Sequence, residues 1–256
     1  MDHRVIGTTM PVLEIMLQPG ETIVAEPGEL SWISGSVQLR TSTMGAGASG
    51  VLGVLKRAFA GGGLFMTEYA TQGGPGMVAF ATKLPGQILP VDIAQGSAYM
   101  VHRHGFVCST PGIEVTIGFQ RSLGAGIFGG DGFFLQKLSG QAQAFIELSG
   151  EVVIYDLQAG QALLVHPGHV GMFEGTVNFD IQVVPGIANV LFGNQGLFLA
   201  KLTGPGRVWL QSLTLPGLAH ALQPYIGREA APPAAVSGGI GGAVAGSLLK
   251  DLFGGS

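Results

Sequence analysis

Short runs of alternating apolar and polar residues, separated by glycine and proline, follow one another along the whole chain. Residues 142–148, Ala-Gln-Ala-Phe-Ile-Glu-Leu, are one such run. A period of two is typical of strands that bury one face, and Gly-Pro clusters are typical of turns. No run approaches the roughly 18 consecutive apolar residues that a membrane-spanning helix needs. The pattern predicts an all-β protein built from antiparallel strands.

The same arrangement of turn and strand occurs three times. Gly20, Gly96 and Gly160 each precede a short apolar strand, and a Gly-rich loop later opens into a strand that carries an aromatic residue. The predicted strands cover residues 21–25, 97–101 and 161–165. The aromatic residues in equivalent places are Phe65, Phe134 and Phe198. Self-similarity of this kind is the signature of repeated units that bury their apolar faces against one another.

We therefore expect one all-β body over residues 1–222, made of three repeats around a pseudo-threefold axis. The repeats are expected over about residues 1–90, 91–155 and 156–222. Beyond them, residues 223–256 are predicted to form a Pro/Gly-rich linker followed by a flexible apolar tail. Gly238, Gly242 and Gly246 recur every four residues in this tail. Dense glycine makes a poor helix in water, so a disordered tail and a self-associating or lipid-contacting tail both remain open.

Charged residues make up only 11% of the chain, and the formal net charge is -4. Average soluble domains have about 25% charged residues, so much of this surface must be apolar or covered by another subunit. We expect a homo-oligomer for this reason. A protein that binds nucleic-acid backbone needs a basic surface, and 12 Lys and Arg residues among 256 argue against one.

Four segments resemble one known family. They are residues 25–30 (Ala-Glu-Pro-Gly-Glu-Leu), 53–57 (Gly-Val-Leu-Lys-Arg), 61–65 (Gly-Gly-Gly-Leu-Phe) and 85–88 (Pro-Gly-Gln-Ile). In these the chain resembles bacterial members of the altered-inheritance-of-mitochondria family. The resemblance implies β-sandwich units like those of the tryptophan RNA-binding attenuation protein. It also implies a poorly defined function, associated in mitochondrial relatives with inner-membrane organisation.

One constellation of polar residues suggests metal binding. Glu26, His102 and His166 occupy the same place in the three repeats, directly after the predicted strand. We call the glycine that precedes each of these strands, Gly20, Gly96 or Gly160, the marker glycine of its repeat. Two histidines and one carboxylate are the ligand set of many transition-metal sites. The alternative is that each residue ends its strand and caps the next turn by hydrogen bonds to backbone amides.

The loop around residues 51–59 combines apolar and basic residues at helical spacing. Such a basic amphipathic segment can lie in an anionic membrane interface. A second loop repeats the pattern more weakly. The same apolar residues can instead close one end of the β body or lie in a subunit contact. The residues expected to touch a membrane surface or a partner are Leu52, Leu55, Lys56, Arg57, Phe59, Arg121 and Phe128.

The sequence carries no recognisable catalytic motif. No Gly-x-Ser-x-Gly elbow stands between a strand and a helix, and Cys108 is expected to be a small buried core residue. We expect a cytoplasmic, non-enzymatic scaffold or binding protein that uses no cofactor. We also expect it to contact a membrane peripherally or to support membrane-associated complexes. The competing hypothesis is a cupin-like enzyme or sensor that binds a divalent transition metal through Glu26, His102 and His166.

Overall fold

The computed structural model describes residues 1–43, 65–121, 133–184 and 197–226. Nineteen antiparallel strands and one α-helix occur within these ranges. This confirms the all-β class predicted from the period-two pattern. Contacts between residues of the chain group it into two compact units, Met1–Pro216 and Gly217–Ser256. In the described part of the chain, no helix has the length and apolar character that a membrane crossing requires.

The strands fall into three sets of six, preceded by one additional strand, β1 (Asp2–Ile6). The first set is β2 (Val12–Leu17), β3 (Thr22–Ala25), β4 (Trp32–Ile33), β5 (Val37–Thr43), β6 (Phe65–Thr71) and β7 (Gly76–Ala81). The second set is β8 (Gly86–Ile93), β9 (Ala98–His102), β10 (Phe106–Ser109), β11 (Ile113–Arg121), β12 (Phe133–Gly140) and β13 (Ala142–Ser149). The third set is β14 (Val152–Leu157), β15 (Ala162–Val165), β16 (Val170–Glu174), β17 (Asn178–Val184), β18 (Leu197–Thr203) and β19 (Gly206–Gln211).

Strand pairing within each set follows one scheme. The sixth strand pairs with the first and the third, and the fifth strand pairs with the second and the fourth. We refer to the three sets as repeats. Phe65, Phe134 and Phe198 lie at the start of the fifth strand in each repeat. A rotation axis that relates the three repeats stays a prediction.

Two pairings join neighbouring repeats. Strand β3 of the first repeat pairs with β10 of the second, and β9 of the second pairs with β16 of the third. These pairings fuse half of one repeat with half of the next into two six-stranded sheets, with orders β5-β6-β3-β10-β13-β8 and β11-β12-β9-β16-β19-β14. Among the described residues, β4 and β15 lie at sheet edges and pair with no strand of another repeat.

The marker glycines hold the turn between the first and second strands of each repeat. Gly20, Gly96 and Gly160 have φ values of 90°, 85° and 78°. Residues with a Cβ rarely adopt this left-handed region, so glycine is the natural residue at all three turns. The sequence therefore located these turns correctly. It also allows positions in the three repeats to be matched by their distance from the marker glycine.

The helix α1 (Leu215–Ile226) follows the last strand and was not predicted. It contains Pro224, and residues 215–217 read Leu-Pro-Gly, which are signals of a turn rather than of a helix. The predicted linker was expected to begin at residue 223, within this helix. The tail beyond it lies outside the described residues.

Candidate functional site

Glu26 and His166 directly follow the second strand of their repeats and His102 is the last residue of its strand, but the structure does not bring the three side chains together. Within the described residues, no group of three or more His, Cys, Asp or Glu side chains is placed to hold a metal ion. Each side chain instead has a local partner. A Glu26 carboxylate oxygen accepts a hydrogen bond from Gln136 Nε2 of the next repeat. His166 Nδ1 accepts one from the backbone N–H of Gly168, which is the capping alternative.

His102 contacts the backbone of its own repeat. Its Nε2 lies 3.0 Å from the carbonyl oxygen of Glu147, which fixes Nε2 as the protonated nitrogen of the neutral ring. Burial lowers the pKa of His102 to about 4, with smaller lowering effects from His104 and Lys83. The ring is therefore neutral at physiological pH and acts as a backbone hydrogen-bond donor.

A buried polar side chain holds the segment that joins one repeat to the next. Glu147 Oε1 accepts the backbone N–H groups of Lys83 (3.0 Å) and Leu84 (3.4 Å) before the second repeat. At the equivalent position of the third repeat, Gln211 Oε1 accepts the N–H of Ser149 at 3.0 Å. Burial raises the pKa of Glu147, although the two N–H groups partly offset it. The amide of Gln211 thus makes the same kind of backbone contact as the carboxylate of Glu147. A contact that does not need the charge indicates that these side chains position the backbone.

Burial also raises the pKa of Glu26, against the lowering effect of its hydrogen bond from Gln136. Lys83 forms an ion pair with Glu29 at 2.5 Å nearby. Cys108 is fully buried, as predicted, and burial holds its pKa well above the usual value, so it remains a thiol. The titratable groups at the junction of the first two repeats thus bind backbone and neighbouring side chains.

The residues predicted to contact a membrane or partner cannot be placed. Leu52, Leu55, Lys56, Arg57, Phe59 and Phe128 lie outside the described residues. Arg121 ends strand β11, but its side chain is also outside the described part. Their role stays a prediction.

A groove of about 430 Å³ lies between strands β8 and β14, and we call it the outer groove. Both strands are edges of their six-stranded sheets. The Tyr99 and Trp209 rings meet edge to face at 6.1 Å, and the Arg207 guanidinium lies 5.8 Å from the centre of the Trp209 ring. The apolar lining of the outer groove consists of Leu89, Pro90, Val91, Tyr99, Val152, Ile154 and Trp209. No sequence motif marks this groove, since its residues come from two repeats.

Two exposed apolar residues lie on the unpaired edges of β4 and β15, and we call these two edges together the open seam. Trp32 on β4 is 45% exposed, whereas Cys108 and Met172, at the same position of the other repeats, are 0% exposed. Leu164 on β15 is 55% exposed, whereas Val24, at the same position of the first repeat, is 3% exposed. The difference arises because β3 pairs with β10 and β9 with β16, while the edges of β4 and β15 remain unpaired.

Comparison with known proteins identifies the relatives of this chain. An uncharacterised protein of Streptococcus pyogenes serotype M6 is 23% identical over 219 residues, which covers 84% of this chain and 87% of the relative. The X-ray crystal structure of a Streptococcus pyogenes protein superposes with a TM-score of 0.69 at 21% identity, over 88% of this chain and 99% of that protein. This likeness supports the fold alone.

The family resemblance inferred from the sequence is confirmed, while the link to the attenuation-protein superfamily stays a prediction. The model of the family described as "Mitochondrial biogenesis AIM24" matches residues 3–213, from β1 to the end of the third repeat. The chain therefore belongs to the AIM24 family.

Proposed function

We propose that this chain is a non-enzymatic scaffold protein that assembles with copies of itself through the open seam. The supporting observation is the pair of exposed apolar residues there, Trp32 and Leu164, at positions that strand pairing buries elsewhere in the same chain. Unpaired strand edges with apolar side chains are templates for pairing with another strand. The low charged fraction of 11% fits a surface that is covered in an assembly.

The two edges of the seam are complementary to each other. The second strand of one repeat pairs antiparallel with the third strand of the next, with Ala25 opposite Cys108 and Val101 opposite Met172. By the same register, Val165 on β15 of one copy lies opposite Trp32 on β4 of a second copy. Reciprocal pairing of the two edges gives a closed dimer, in which both seams are filled.

A cysteine experiment tests this register. Opposed residues of antiparallel strands have Cα atoms about 4.5–5.5 Å apart, which suits a disulfide. We expect a chain with Trp32→Cys and a differently tagged chain with Val165→Cys to form a mixed disulfide on mild oxidation. A matched pair with Ile117→Cys and Val165→Cys should not do so, because Ile117 lies on the edge strand β11, outside the seam.

Light scattering provides the second measurement. The unchanged protein should be a dimer or larger, and Trp32→Lys with Leu164→Lys should shift it toward the monomer without loss of its circular dichroism spectrum. A monomeric unchanged protein would refute self-assembly. A doubly substituted chain, Trp32→Cys with Val165→Cys, that forms only an internal disulfide would show that the seam closes within one chain, which also contradicts the proposal.

A further inference from the structure

The outer groove has a counterpart in the first repeat, and there a strand fills it. Strand β1 pairs antiparallel with the outer edge of β2, from Asp2 opposite Met16 to Ile6 opposite Val12. On the buried side, the His3 ring contacts the Phe145 ring edge to face at 4.9 Å. Strand β1 thus lies against β2 of the first repeat and against an aromatic residue on the sixth strand of the second.

The two grooves can be matched residue by residue. Leu17 and Ile93 each lie three residues before a marker glycine, and their partners Gly76 and Ala142 begin equivalent strands. Counting from these anchors, β8 corresponds to β2 and Trp209 corresponds to Phe145. The matched residues are Leu13 with Leu89, Ile15 with Val91, Ile23 with Tyr99, and Phe145 with Trp209.

Burial differs between the two grooves at the same positions. Leu13, Ile15, Ile23 and Phe145 are all 0% exposed in the groove that β1 covers. In the outer groove, Leu89, Tyr99 and Trp209 are only partly buried, and Val91 is 8% exposed. Within the described residues, β8 pairs only with β13, so its outer edge carries no strand.

We propose that the outer groove binds an extended segment of a partner protein, which adds to β8 as an antiparallel strand. The position of β1 supports this occupant, because it shows that the same framework accepts a strand of about five residues at the equivalent edge. Strand addition combines backbone hydrogen bonds with side-chain pockets at alternate positions. This binding is separate from assembly through the open seam and does not depend on it.

The groove also indicates the chemistry of the segment. Residues that pair with Val91 and Leu89 face Trp209 and Tyr99, so they should be apolar or aromatic at alternate positions, as His3 and Val5 are in β1. Asp92 occupies the place of Met16, which lies opposite Asp2. A basic residue at that position of the partner would therefore pair with Asp92.

Pro90 distinguishes this site from the one that β1 fills. It stands in the middle of β8, at the position of Glu14 in β2, where Glu14 forms an ion pair with Arg4. Proline has no N–H to donate and is found on edge strands, where it discourages indiscriminate pairing. A strand on β8 gains fewer backbone hydrogen bonds than β1 gains on β2. Side-chain contacts with the groove must therefore select the partner, and binding should be reversible.

A peptide experiment tests the proposal. The probe is a fluorescently labelled peptide with the sequence of residues 1–7 in which Asp2→Lys places a base opposite Asp92. The full chain carries Trp32→Phe, so that Trp209 is the remaining tryptophan of the two in the sequence. We expect saturable binding by anisotropy, with a change in Trp209 emission over the same concentrations. The peptide that retains Asp2 should bind about 2- to 5-fold more weakly.

Matched variants locate the site. Ile154→Lys, in the outer groove, should weaken binding by tenfold or more, and Ile117→Lys, a similarly exposed residue on β11, should leave it unchanged. Binding that survives Ile154→Lys would place the peptide elsewhere, including exchange with β1, and would overturn the proposal. Absence of saturable binding up to about 1 mM, which corresponds to about 4 kcal/mol, would also overturn it.

Discussion

Truncation of Phe145 should destabilise the protein more than truncation of Trp209, the larger aromatic residue at the matching position of the third repeat. Phe145 is fully buried among the core residues of the first repeat, while the larger Trp209 is partly exposed on the outer groove. Truncation of a fully buried phenylalanine costs about 3–5 kcal/mol, because it removes apolar contacts and leaves a cavity. Trp209→Ala opens onto solvent and leaves no closed cavity, so we expect about 1–2 kcal/mol.

Urea denaturation followed by circular dichroism measures the loss of unfolding free energy in both variants. The slope of that free energy against urea concentration should be unchanged by either substitution. For a body of this size, Phe145→Ala should lower Tm by about 6–20 °C and Trp209→Ala by less than half of that. Equal destabilisation by the two variants would refute the argument, since it would mean that the outer groove is as well covered as the groove under β1. A conservative Phe145→Leu change should recover most of the loss.

Two further predictions concern titration and membranes. The folded-state pKa of His102, about 4, lies below its ordinary value of 6.5, so the unfolded state binds more protons between these values and stability should fall as the pH drops from about 6.5 toward 4. The loss should be at most about 3 kcal/mol, and it should be absent from the stability curve of His102→Gln, measured by urea denaturation at each pH. A variant that loses as much stability as the wild-type chain between pH 6.5 and 4 would contradict the assignment to His102. From the sequence alone, Lys56→Glu with Arg57→Glu should abolish flotation with anionic vesicles at low salt, and equal flotation would argue against this loop as the membrane contact.

The sequence located the turns and the fifth strands of the repeats because local chemistry determines them. Gly20, Gly96 and Gly160 adopt the positive φ that only glycine accepts readily, and the strands before Glu26 and His166 end where the polar residue begins. In the second repeat, the turn residues that match Pro27-Gly28 are Arg103-His104, which lack the proline and glycine found in the first and third repeats. His102 is the last residue of its strand there.

Pairing between repeats could not be predicted from the same pattern. A period-two run shows which face is buried, but it does not name the partner strand, so the contact of Ala25 with Cys108 has no local signal. The metal hypothesis assumed that equivalent positions of the three repeats meet in space. Equivalent positions in three repeats are related by the fold, but Glu26, His102 and His166 satisfy their hydrogen bonds with separate neighbours. The sequence did not reveal the outer groove, because the groove is open only where no described strand covers β8 as β1 covers β2.

The pairing of each repeat with its successor also affects how the chain folds during synthesis. When the first repeat has left the ribosome, strand β3 still lacks β10, its neighbour on one side. That edge remains available to other nascent chains until roughly the next 30 residues emerge, at about 5–20 residues per second. Translation pauses placed after the first repeat should therefore increase aggregation, whereas pauses after β19 should not.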